Sequence, residues 1–211
     1  MTIPEGEPTS AAAVAAWIDE HIRDRYDHVR RESVRHREVH GCTVYPTGSG
    51  PLLGVLAAAT AARRVLELGT GLGYSAFWLA SAGAHVDTIE EDAEHARLAG
   101  ELFAREDANV TVHVGAGRDV LPSLDSGYDL VFNDGEPVEF EEDLDAFERL
   151  LRPGGLLVSA NLFLGQYSDT IEGLEHAAVY RLRLLDEDRY LTTILPNGLA
   201  LSAHDPSHPP E

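Results

Sequence analysis

A glycine-rich segment in the first half of the chain constrains the fold most strongly. Residues 65–75 read VLELGTGLGYS, an apolar run that ends in three closely spaced glycines and leads into a helical pattern. A buried strand that turns through glycines into a helix is typical of the first unit of a nucleotide-binding α/β fold. Glu90 ends the next apolar run, 21 residues after Gly69, and a carboxylate there accepts hydrogen bonds from ribose hydroxyls. The segment therefore predicts a nucleoside-binding half-fold.

Short β-type runs alternate with helical patterns along most of the chain. The β-type runs cover residues 63–68, 85–90, 109–114, 128–133 and 155–160, and the helical patterns cover residues 74–82, 92–106, 118–124 and 138–151. This alternation predicts an α/β fold, with a parallel sheet and helices on both faces. Near the end, Asn197-Gly198 separates the apolar runs 189–196 and 199–203, which predicts that the sheet finishes in an antiparallel hairpin.

The chain divides into a main domain and two peripheral segments. Residues 1–43 are predicted to be an N-terminal helical extension, because apolar residues recur at helical spacing over residues 10–40. Residues 44–203 carry the main domain. Residues 204–211 (HDPSHPPE) are rich in proline and polar residues, so we expect a disordered tail there.

The charged residues exclude several classes of function. All 16 basic residues are arginine, and the formal net charge is −20. Without lysine the chain contains no Walker-type phosphate loop, no protein-kinase ATP site and no Schiff-base enzyme centre. Affinity for nucleic acids and for anionic membranes depends on basic side chains, so we expect neither as a partner.

The remaining composition indicates where the protein works. Cys42 is the single cysteine, so we expect neither an internal disulfide nor a cysteine-based zinc cluster, and we interpret the thiol as a small buried group. The longest apolar run, residues 52–62, is too short to span a bilayer. Glu5 and Glu7 argue against a signal peptide. Together these features predict a cytoplasmic protein.

Glu67, two residues before the first glycine, helps to choose between nucleoside cofactors. The dinucleotide fingerprint G-x-G-x-x-G needs a small residue where this chain has Tyr74, and its loop receives an anionic pyrophosphate. Here a carboxylate stands beside the turn instead, which suits the positively charged amino-acid end of S-adenosylmethionine. We therefore predict S-adenosylmethionine as the cofactor, with NAD as the alternative.

Seven blocks of the sequence resemble those of one enzyme family. In chain order they are VYPTGSGPLL (44–53), VLELGTGLGYS (65–75), TIEED (88–92), GAGRDVLPSL (115–124), YDLVFNDG (128–135), LLRPGGLLVSANLFLG (150–165) and RYLTTILPNGLALSA (189–203). In this order and spacing they resemble the class I S-adenosylmethionine-dependent O-methyltransferases related to catechol and caffeoyl-CoA O-methyltransferases. The resemblance implies a Rossmann-like fold, in which a mostly parallel, seven-stranded sheet has one reversed strand.

The resemblance also implies a role for each matching residue. The methionine end of the cofactor would contact the glycine turn and its surroundings, namely Val44, Glu67, Gly69, Thr70, Gly71, Gly73 and Ser75. Glu90 would bind the ribose, and Gly117 and Arg118 would flank the adenine. Asp134, at the end of the fourth strand, would lie near the transferable methyl group and would also ligate a divalent metal.

The chain departs from the family at this metal site. The family uses the Asp at position 134 and an Asp-Asn pair after the fifth strand, but the pair reads Ala160-Asn161 here. Asp134 and Asn161 remain as ligands for a weakly bound Mg²⁺, with Glu136 or Glu139 as substitutes for the missing carboxylate. Because that carboxylate is missing, we expect a metal-independent site or no metal at all.

The lysine that helps to deprotonate the acceptor in many family members is also missing, since Gly-Glu-Pro follows Asp134. His36, His40 and Asp134 are the candidate general bases. We expect His40 to be the best histidine, because the VYPTG segment that follows it should place it near the cofactor entrance. Phe163 and Tyr167 are the predicted contacts for an aromatic acceptor.

These features predict an O-methyltransferase that acts on a small hydroxylated, aromatic acceptor. Two alternatives stay open. The missing Asp and Lys suit an S-adenosylmethionine-binding protein that has lost catalysis and serves in regulation or assembly, and NAD-dependent oxidoreductases also use a glycine turn of this kind. The amphipathic N-terminal helix and the habit of the family favour a homodimer.

Overall fold

The computed structural model describes residues 10–135, 140–163 and 171–204. Within these residues the helices are α1 (Ala11–His21), α2 (Asp27–His40), α3 (Gly50–Ala59), α4 (Tyr74–Ala80), α5 (Ala93–Arg105), α6 (Gly117–Val120), α7 (Phe140–Leu150) and α8 (Ile171–Leu184). The strands are β1 (Arg64–Leu68), β2 (His85–Glu90), β3 (Val110–Val114), β4 (Tyr128–Asn133), β5 (Leu151–Ser159), β6 (Tyr190–Ile194) and β7 (Ala200–His204). Among the described residues, no helix is long and apolar enough to cross a membrane.

The strands form one seven-stranded sheet in the order β3-β2-β1-β4-β5-β7-β6. Strands β1 to β5 are parallel to one another, and β7 runs antiparallel to both β5 and β6. The predicted fold, a mostly parallel sheet that ends in an antiparallel hairpin, is therefore confirmed. The strand order progresses in one direction from β1 to β3 and in the other from β4 to β5. Open α/β sheets bind their ligands outside the carboxyl ends of the strands at such a reversal.

Apolar side chains cover both faces of the sheet. Neighbouring residues of a strand point to opposite faces, so Val65 packs with helices α2 to α5 whereas Leu66 packs with α7 and α8. The first cluster includes the fully buried Leu79, and the second includes the fully buried Phe147 and Tyr180. This two-sided core holds the carboxyl ends of β1, β2 and β4 in fixed positions.

The N-terminal helical region differs from its prediction. The pattern over residues 10–40 predicts one helix, but α1 ends before Ile22 and α2 starts after a short break. Asp24, in the break, accepts a hydrogen bond of 2.9 Å from the backbone N–H of Tyr26 and one of 2.8 Å from the hydroxyl of Tyr74. A tertiary hydrogen bond to α4 thus competes successfully with the local helical pattern.

Two helices, α3 and α8, were absent from the predicted elements. Helix α3 occupies part of the long apolar run and has Pro51 in its first turn, where proline is well tolerated. Strand β7 includes His204, which is buried, so the strand takes one residue that we expected in the C-terminal tail. Residues 1–9 and the rest of the expected tail lie outside the described residues.

Candidate active site

A cleft opens at the carboxyl ends of β1, β2 and β4, where the strand order reverses. It encloses about 880 Å³, including space open to solvent, which is adequate for a nucleoside-sized ligand. The turn after β1 lines it, together with the ends of β2 and β4 and the segment that follows α2. The sheet topology therefore brings distant parts of the sequence to one concave site.

Two glycines of the turn are required by geometry. Both have a positive φ, +94° at Gly69 and +93° at Gly73, in the region that residues with side chains disfavour. A Cβ on Gly69 would lie 2.7 Å from the carbonyl oxygen of Asp134, and a Cβ on Gly73 would lie 2.4 Å from the ring of Phe103. Gly69 therefore lets the end of β1 approach the end of β4, and Gly73 lets α4 begin directly against α5.

Glu90 holds the glycine turn through both of its carboxylate oxygens. The backbone N–H of Gly71 donates to Oε2 at 2.8 Å, and the backbone N–H of Asp92 donates to Oε1 at 3.0 Å. Burial raises the pKa of Glu90, although these two hydrogen bonds and the nearby His95 oppose the shift. The carboxylate lines the cleft at the end of β2, the place where we predict a ribose contact.

Glu67 is fully buried in β1. Its Oε2 accepts a hydrogen bond of 2.6 Å from the hydroxyl of Thr88, while Oε1 has no hydrogen-bond partner among the described residues. Burial raises the pKa of Glu67 to about 8, with a further contribution from Asp134 and Glu90, and the hydroxyls of Ser75 and Thr88 oppose this shift. A buried acceptor without a donor is costly, so a ligand that brings a donor here would gain affinity.

Asp134 and Asn161 meet across the ends of β4 and β5. The side-chain amide of Asn161 donates to Oδ1 of Asp134 at 2.7 Å. Burial raises the pKa of Asp134 to about 7, although this hydrogen bond opposes the shift. A carboxyl group that titrates near neutral pH is suited to accept and release a proton. Since Asp134 lines the cleft, the structure places a candidate general base there.

The charge of the cleft discriminates between cofactors. Glu90 and Asp134 line the cleft, Glu67 is buried in β1 close enough to interact electrostatically with both, and the described residues that line the cleft include no arginine. The phosphates of a dinucleotide gain affinity from helix N-termini and from basic side chains. A cationic ligand, in contrast, offsets the mutual repulsion of three carboxylates. The geometry therefore favours a cofactor with a sulfonium or ammonium group over NAD.

Most of the predicted cofactor residues come together in the cleft. They are Val44, Gly69, Thr70, Gly71, Ser75, Glu90, Gly117 and Asp134. Glu67 and Gly73 are not among the lining residues: Glu67 is buried in β1, and Gly73 packs closely against Phe103. Arg118, which we expected beside the adenine, is exposed and does not line the cleft, because α6 presents it to solvent.

His40 does not line this cleft either, which corrects its predicted position. Helix α2 ends at Gly41, whose φ of +66° turns the chain after His40. The His40 ring lies against that of His36, with 4.4 Å between the ring centroids, and both residues line a second cavity next to α5. Of our candidate bases, only Asp134 lies in the cleft itself.

The ends of β4 and β5 do not fit the metal site of the family. Ala160 is buried at the position of the missing carboxylate, and Asn161 presents its amide N–H, not its oxygen, to Asp134. Within the described part of the chain, Asp134 belongs to no group of three or more His, Cys or carboxylate ligands. Glu136 and Glu139, the suggested substitutes, lie outside the described residues. A single carboxylate, next to an amide that presents its N–H group in place of its oxygen, makes a poor Mg²⁺ site.

The aromatic residues near the site have different environments. Phe163 is 48% exposed and lies beside Gly198, in the turn between β6 and β7. Tyr167, the other predicted acceptor contact, lies outside the described residues. Trp78 packs in the core, with its ring edge-on to that of Tyr26 at a centroid distance of 5.1 Å. Phe163 therefore remains the described aromatic candidate for contact with an acceptor.

Several residues that line the cleft were not predicted from the sequence. Ser33, on α2, and Thr43, just after it, line the cleft, and His95 lies beside Glu90 with 3.9 Å between Nδ1 and Oε1. Ser33 and Thr43 belong to no motif. The sequence did contain a signal for the position of His95. Asp92 is a typical N-cap residue and caps α5, which places His95 in the first turn of that helix, close to the end of β2.

Comparison with known proteins identifies the family. A family model described as "Methyltransferase domain" matches residues 66–161. A protein of Mycobacterium sp. (strain JLS) named "Putative O-methyltransferase" is 34% identical, and the match covers 96% of this chain and 97% of that protein. Many solved structures resemble the whole fold, and two of them are informative about the family.

The first of these structures is the O-methyltransferase TomG from Streptomyces achromogenes, which is involved in tomaymycin synthesis and was crystallised with S-adenosylmethionine. It superposes with a TM-score of 0.76 at 26% identity, covering 92% of this chain and 96% of that one. The second, cofactor-bound Rv0187 from MTB, has a TM-score of 0.75 at 27% identity, covering 94% and 99%. The family match includes the glycine turn, Glu90 and Asp134. The chain therefore belongs to the class I S-adenosylmethionine-dependent O-methyltransferases.

Proposed function

We propose that the protein transfers a methyl group from S-adenosylmethionine to an oxygen atom of a small hydroxylated, aromatic acceptor, without a metal ion. The observation that carries the proposal is the group of three carboxylates around the glycine turn, Glu67, Glu90 and Asp134, of which Glu67 has an oxygen without a partner. When bound, S-adenosylmethionine supplies a methyl group made electrophilic by its positively charged sulfur. Its ammonium group offers the donor that Glu67 lacks.

Each carboxylate has a distinct task in this proposal. Oε1 of Glu67 accepts a hydrogen bond from the ammonium group, and Ser75, which lines the cleft next to Glu67, helps to hold that end of the cofactor. Glu90 accepts the ribose hydroxyls while it keeps its bonds to the turn, because each carboxylate oxygen has two lone pairs. Gly117 leaves room for the adenine ring. The cofactor is thereby held at both ends.

Asp134 handles the proton of the acceptor. As the acceptor oxygen forms its bond to the methyl carbon, its proton passes to Asp134, and the electron pair of the broken C–S bond stays on sulfur. The hydrogen bond from Asn161 fixes the orientation of the carboxylate. Alignment of the two reactants contributes about 7–11 kcal/mol to such a reaction, and a general base adds about 10²–10⁴-fold in rate. Neither contribution needs a metal or a lysine.

Binding and activity measurements test the proposal together. We expect calorimetric titrations to show that S-adenosylmethionine and S-adenosylhomocysteine bind and that NAD does not. We expect an acceptor screen over catechols, phenols and amines to show methylation of hydroxyl groups that persists in a chelator. Binding of NAD alone would overturn the cofactor assignment. Cofactor binding with silence across the screen would favour a non-catalytic binding protein, and loss of activity in the chelator would overturn metal independence.

A homodimer through α1 is the second part of the proposal. Val14, Trp17 and Ile18 on α1, and Ile22 directly after it, are 39–56% exposed although they are large and apolar, and a cluster of this kind is typical of an interaction surface. We expect light scattering to give the mass of a dimer. The double variant Trp17→Glu/Ile18→Glu should give the mass of a monomer, and a monomeric wild-type protein would contradict the proposal.

A further inference from the structure

A cluster of nitrogen and sulfur donors lies beside the cleft. His36 from α2, Cys42 from the segment after α2 and His95 from α5 bring one ligand atom each within 4.8 Å of one another. The rings of His36 and His95 stand nearly perpendicular, with 5.3 Å between their centroids. We expected no cysteine-based zinc cluster, because Cys42 is the single cysteine. In the structure this thiol is half-buried and its sulfur lies within 4.8 Å of a ring nitrogen of each imidazole.

The spacing of these atoms is close to that of a metal centre. Zinc–nitrogen distances of 2.0–2.1 Å and zinc–sulfur distances of 2.3 Å place the ligand atoms of a tetrahedral site about 3.4–3.6 Å apart. From separations of up to 4.8 Å, the cluster therefore needs to contract by at most about 1.4 Å, which side-chain rotation can supply. The three residues come from three separate segments, so their convergence does not follow from the periodicity of one helix.

We propose that His36, Cys42 and His95 bind Zn²⁺. Imidazole nitrogen and thiolate sulfur are donors that suit Zn²⁺ and are poor ligands for Mg²⁺, so this site differs in chemistry from the one that the family places at Asp134. On binding, the S–H bond of Cys42 breaks, its proton passes to the buffer, and the sulfur forms its bond to the metal as a thiolate.

The surroundings provide a fourth position and an access route. The donors line a cavity together with His40 and Asp92. His40 is exposed, lies one helical turn after His36 on the same side of α2 and lines the same cavity, so the cavity offers a further residue that can ligate and a path from solvent. Asp92 and Glu90 each place a carboxylate oxygen 3.9 Å from Nδ1 of His95. These carboxylates supply negative charge next to the cation.

The proposed ion would fasten one wall of the cofactor cleft. Cys42 immediately precedes Thr43 and Val44, which line the cleft, and His95 lines both cavities. A metal bridge from α2 to α5 would therefore hold the Thr43–Val44 segment against the cleft. That consequence rests on the proposed function, whereas zinc binding itself does not.

Metal titration of the full-length, reduced protein tests the site. After removal of metals with a chelator, we expect zinc chloride to bind with a stoichiometry of one, with proton release detectable from the dependence of the binding heat on buffer. Cobalt(II) should give a thiolate-to-metal charge-transfer band in the near ultraviolet. We expect Cys42→Ser to abolish this band, and Cys42→Ser, His36→Gln and His95→Gln each to weaken zinc binding at least tenfold. Circular dichroism verifies that each variant is folded.

A histidine outside the cluster provides the matched control. His28 also lies on α2 and joins it to the end of α5, through a 2.8 Å contact between its Nε2 and Oε1 of Glu106. His28→Gln should retain the wild-type zinc affinity and cobalt band. The proposal is overturned if the wild-type protein binds no stoichiometric zinc, or if Cys42→Ser and His95→Gln bind it as tightly as the wild type. Either result would leave S-adenosylmethionine binding, and hence the proposed function, unaffected.

Discussion

The cofactor cleft and the second cavity, which contains the proposed zinc ligands, are both lined by His95. The two sites are nevertheless formed by different kinds of structural element. The cleft takes its chemistry from carboxylates in or just after parallel strands, whose positions the sheet fixes, as with Glu67 and Glu90. The cavity takes its nitrogen and sulfur donors from two helices and a connecting segment. Functional residues at the ends of strands belong to contiguous sequence motifs. The relative positions of functional residues on different helices depend instead on how those helices pack.

Replacement of Asp134 by Asn is the most severe test of the cleft. The amide cannot take the proton of the acceptor, so we expect kcat to fall by about 10²–10⁴-fold, while the affinity for S-adenosylmethionine falls much less because Glu67 and Glu90 remain. The wild-type rate should rise with pH through about 7, because burial raises the pKa of Asp134 to that value and the ionised form is the base. Steady-state kinetics across pH measure both effects, and the variant should lose the rise.

The control for that variant is Asp125→Asn. Asp125 is exposed in the loop before β4 and is not among the residues that line the cleft, so kcat and the pH profile should match the wild type. If Asp134→Asn retained the wild-type kcat and pH profile, Asp134 would not be the base.

Replacement of Glu67 by Gln has the next largest expected effect. A hydrogen bond between charged groups contributes about 1.5–3 kcal/mol, so calorimetry should show S-adenosylmethionine binding about 10- to 100-fold more weakly. The wild-type affinity should increase as pH rises towards 8, because a cation binds the ionised carboxylate and the pKa of Glu67 is raised to about 8 by burial. The variant should lack this dependence.

The exposed Glu101, which pairs with Arg97 on the surface of α5, provides the comparison. Glu101→Gln should bind the cofactor as the wild type does at every pH. Equal affinities in Glu67→Gln and the wild type would exclude Glu67 from cofactor binding.

The same buried carboxyl group should make the cofactor-free protein less stable in alkali. A folded-state pKa of about 8, above the ordinary 4.5, means that the folded protein holds the proton more tightly than the unfolded chain. Its stabilising effect is complete below 4.5 and is lost as pH rises through 8. Between pH 6 and pH 9 we expect urea unfolding to show a loss of about 2 kcal/mol, with a smaller loss in Glu67→Gln. An equal loss in both proteins would contradict this prediction.

Zinc should have the smallest effect on cofactor binding, because it would hold one wall of the cleft in place without contacting the cofactor. We expect saturating zinc to tighten binding of S-adenosylhomocysteine by about two- to fivefold in the wild type, a coupling near 1 kcal/mol or less, and to have no effect in Cys42→Ser. Parallel calorimetric titrations measure the difference. If zinc changed the cofactor affinity by a larger factor than Glu67→Gln does, the cofactor cleft and the zinc site would not be the separate sites that the structure indicates.

The sequence sufficed for features that depend on local patterns. The glycine turn, Glu90 and Asp134 were predictable because each stands at the end of an apolar run, and the carboxyl ends of parallel strands meet at one edge of the sheet. The Asn197-Gly198 hairpin was predictable because its turn chemistry is local. These patterns specify most of the sheet and its cofactor cleft.

Features that depend on packing between distant segments were not predictable. The break between α1 and α2 contains Asp24, which accepts a hydrogen bond from Tyr74, 50 positions further along the chain. The position of His40 depends on how α2 lies against α5, so its place in the sequence was misleading. The approach of His95 to His36 arises from the same packing and has no counterpart in any motif.

Gly69 and Gly73 look equivalent in the sequence, but they differ in whether a second mutation can compensate for their replacement by alanine. The obstacle to a methyl group at Gly73 is the ring of Phe103, so Phe103→Leu would relieve the clash of Gly73→Ala and leave a backbone strain of about 1–2 kcal/mol. The obstacle at Gly69 is the main-chain carbonyl of Asp134, which every amino acid carries. Suppressor selection should therefore recover partners for Gly73→Ala, whereas no side-chain change at position 134 can accommodate Gly69→Ala.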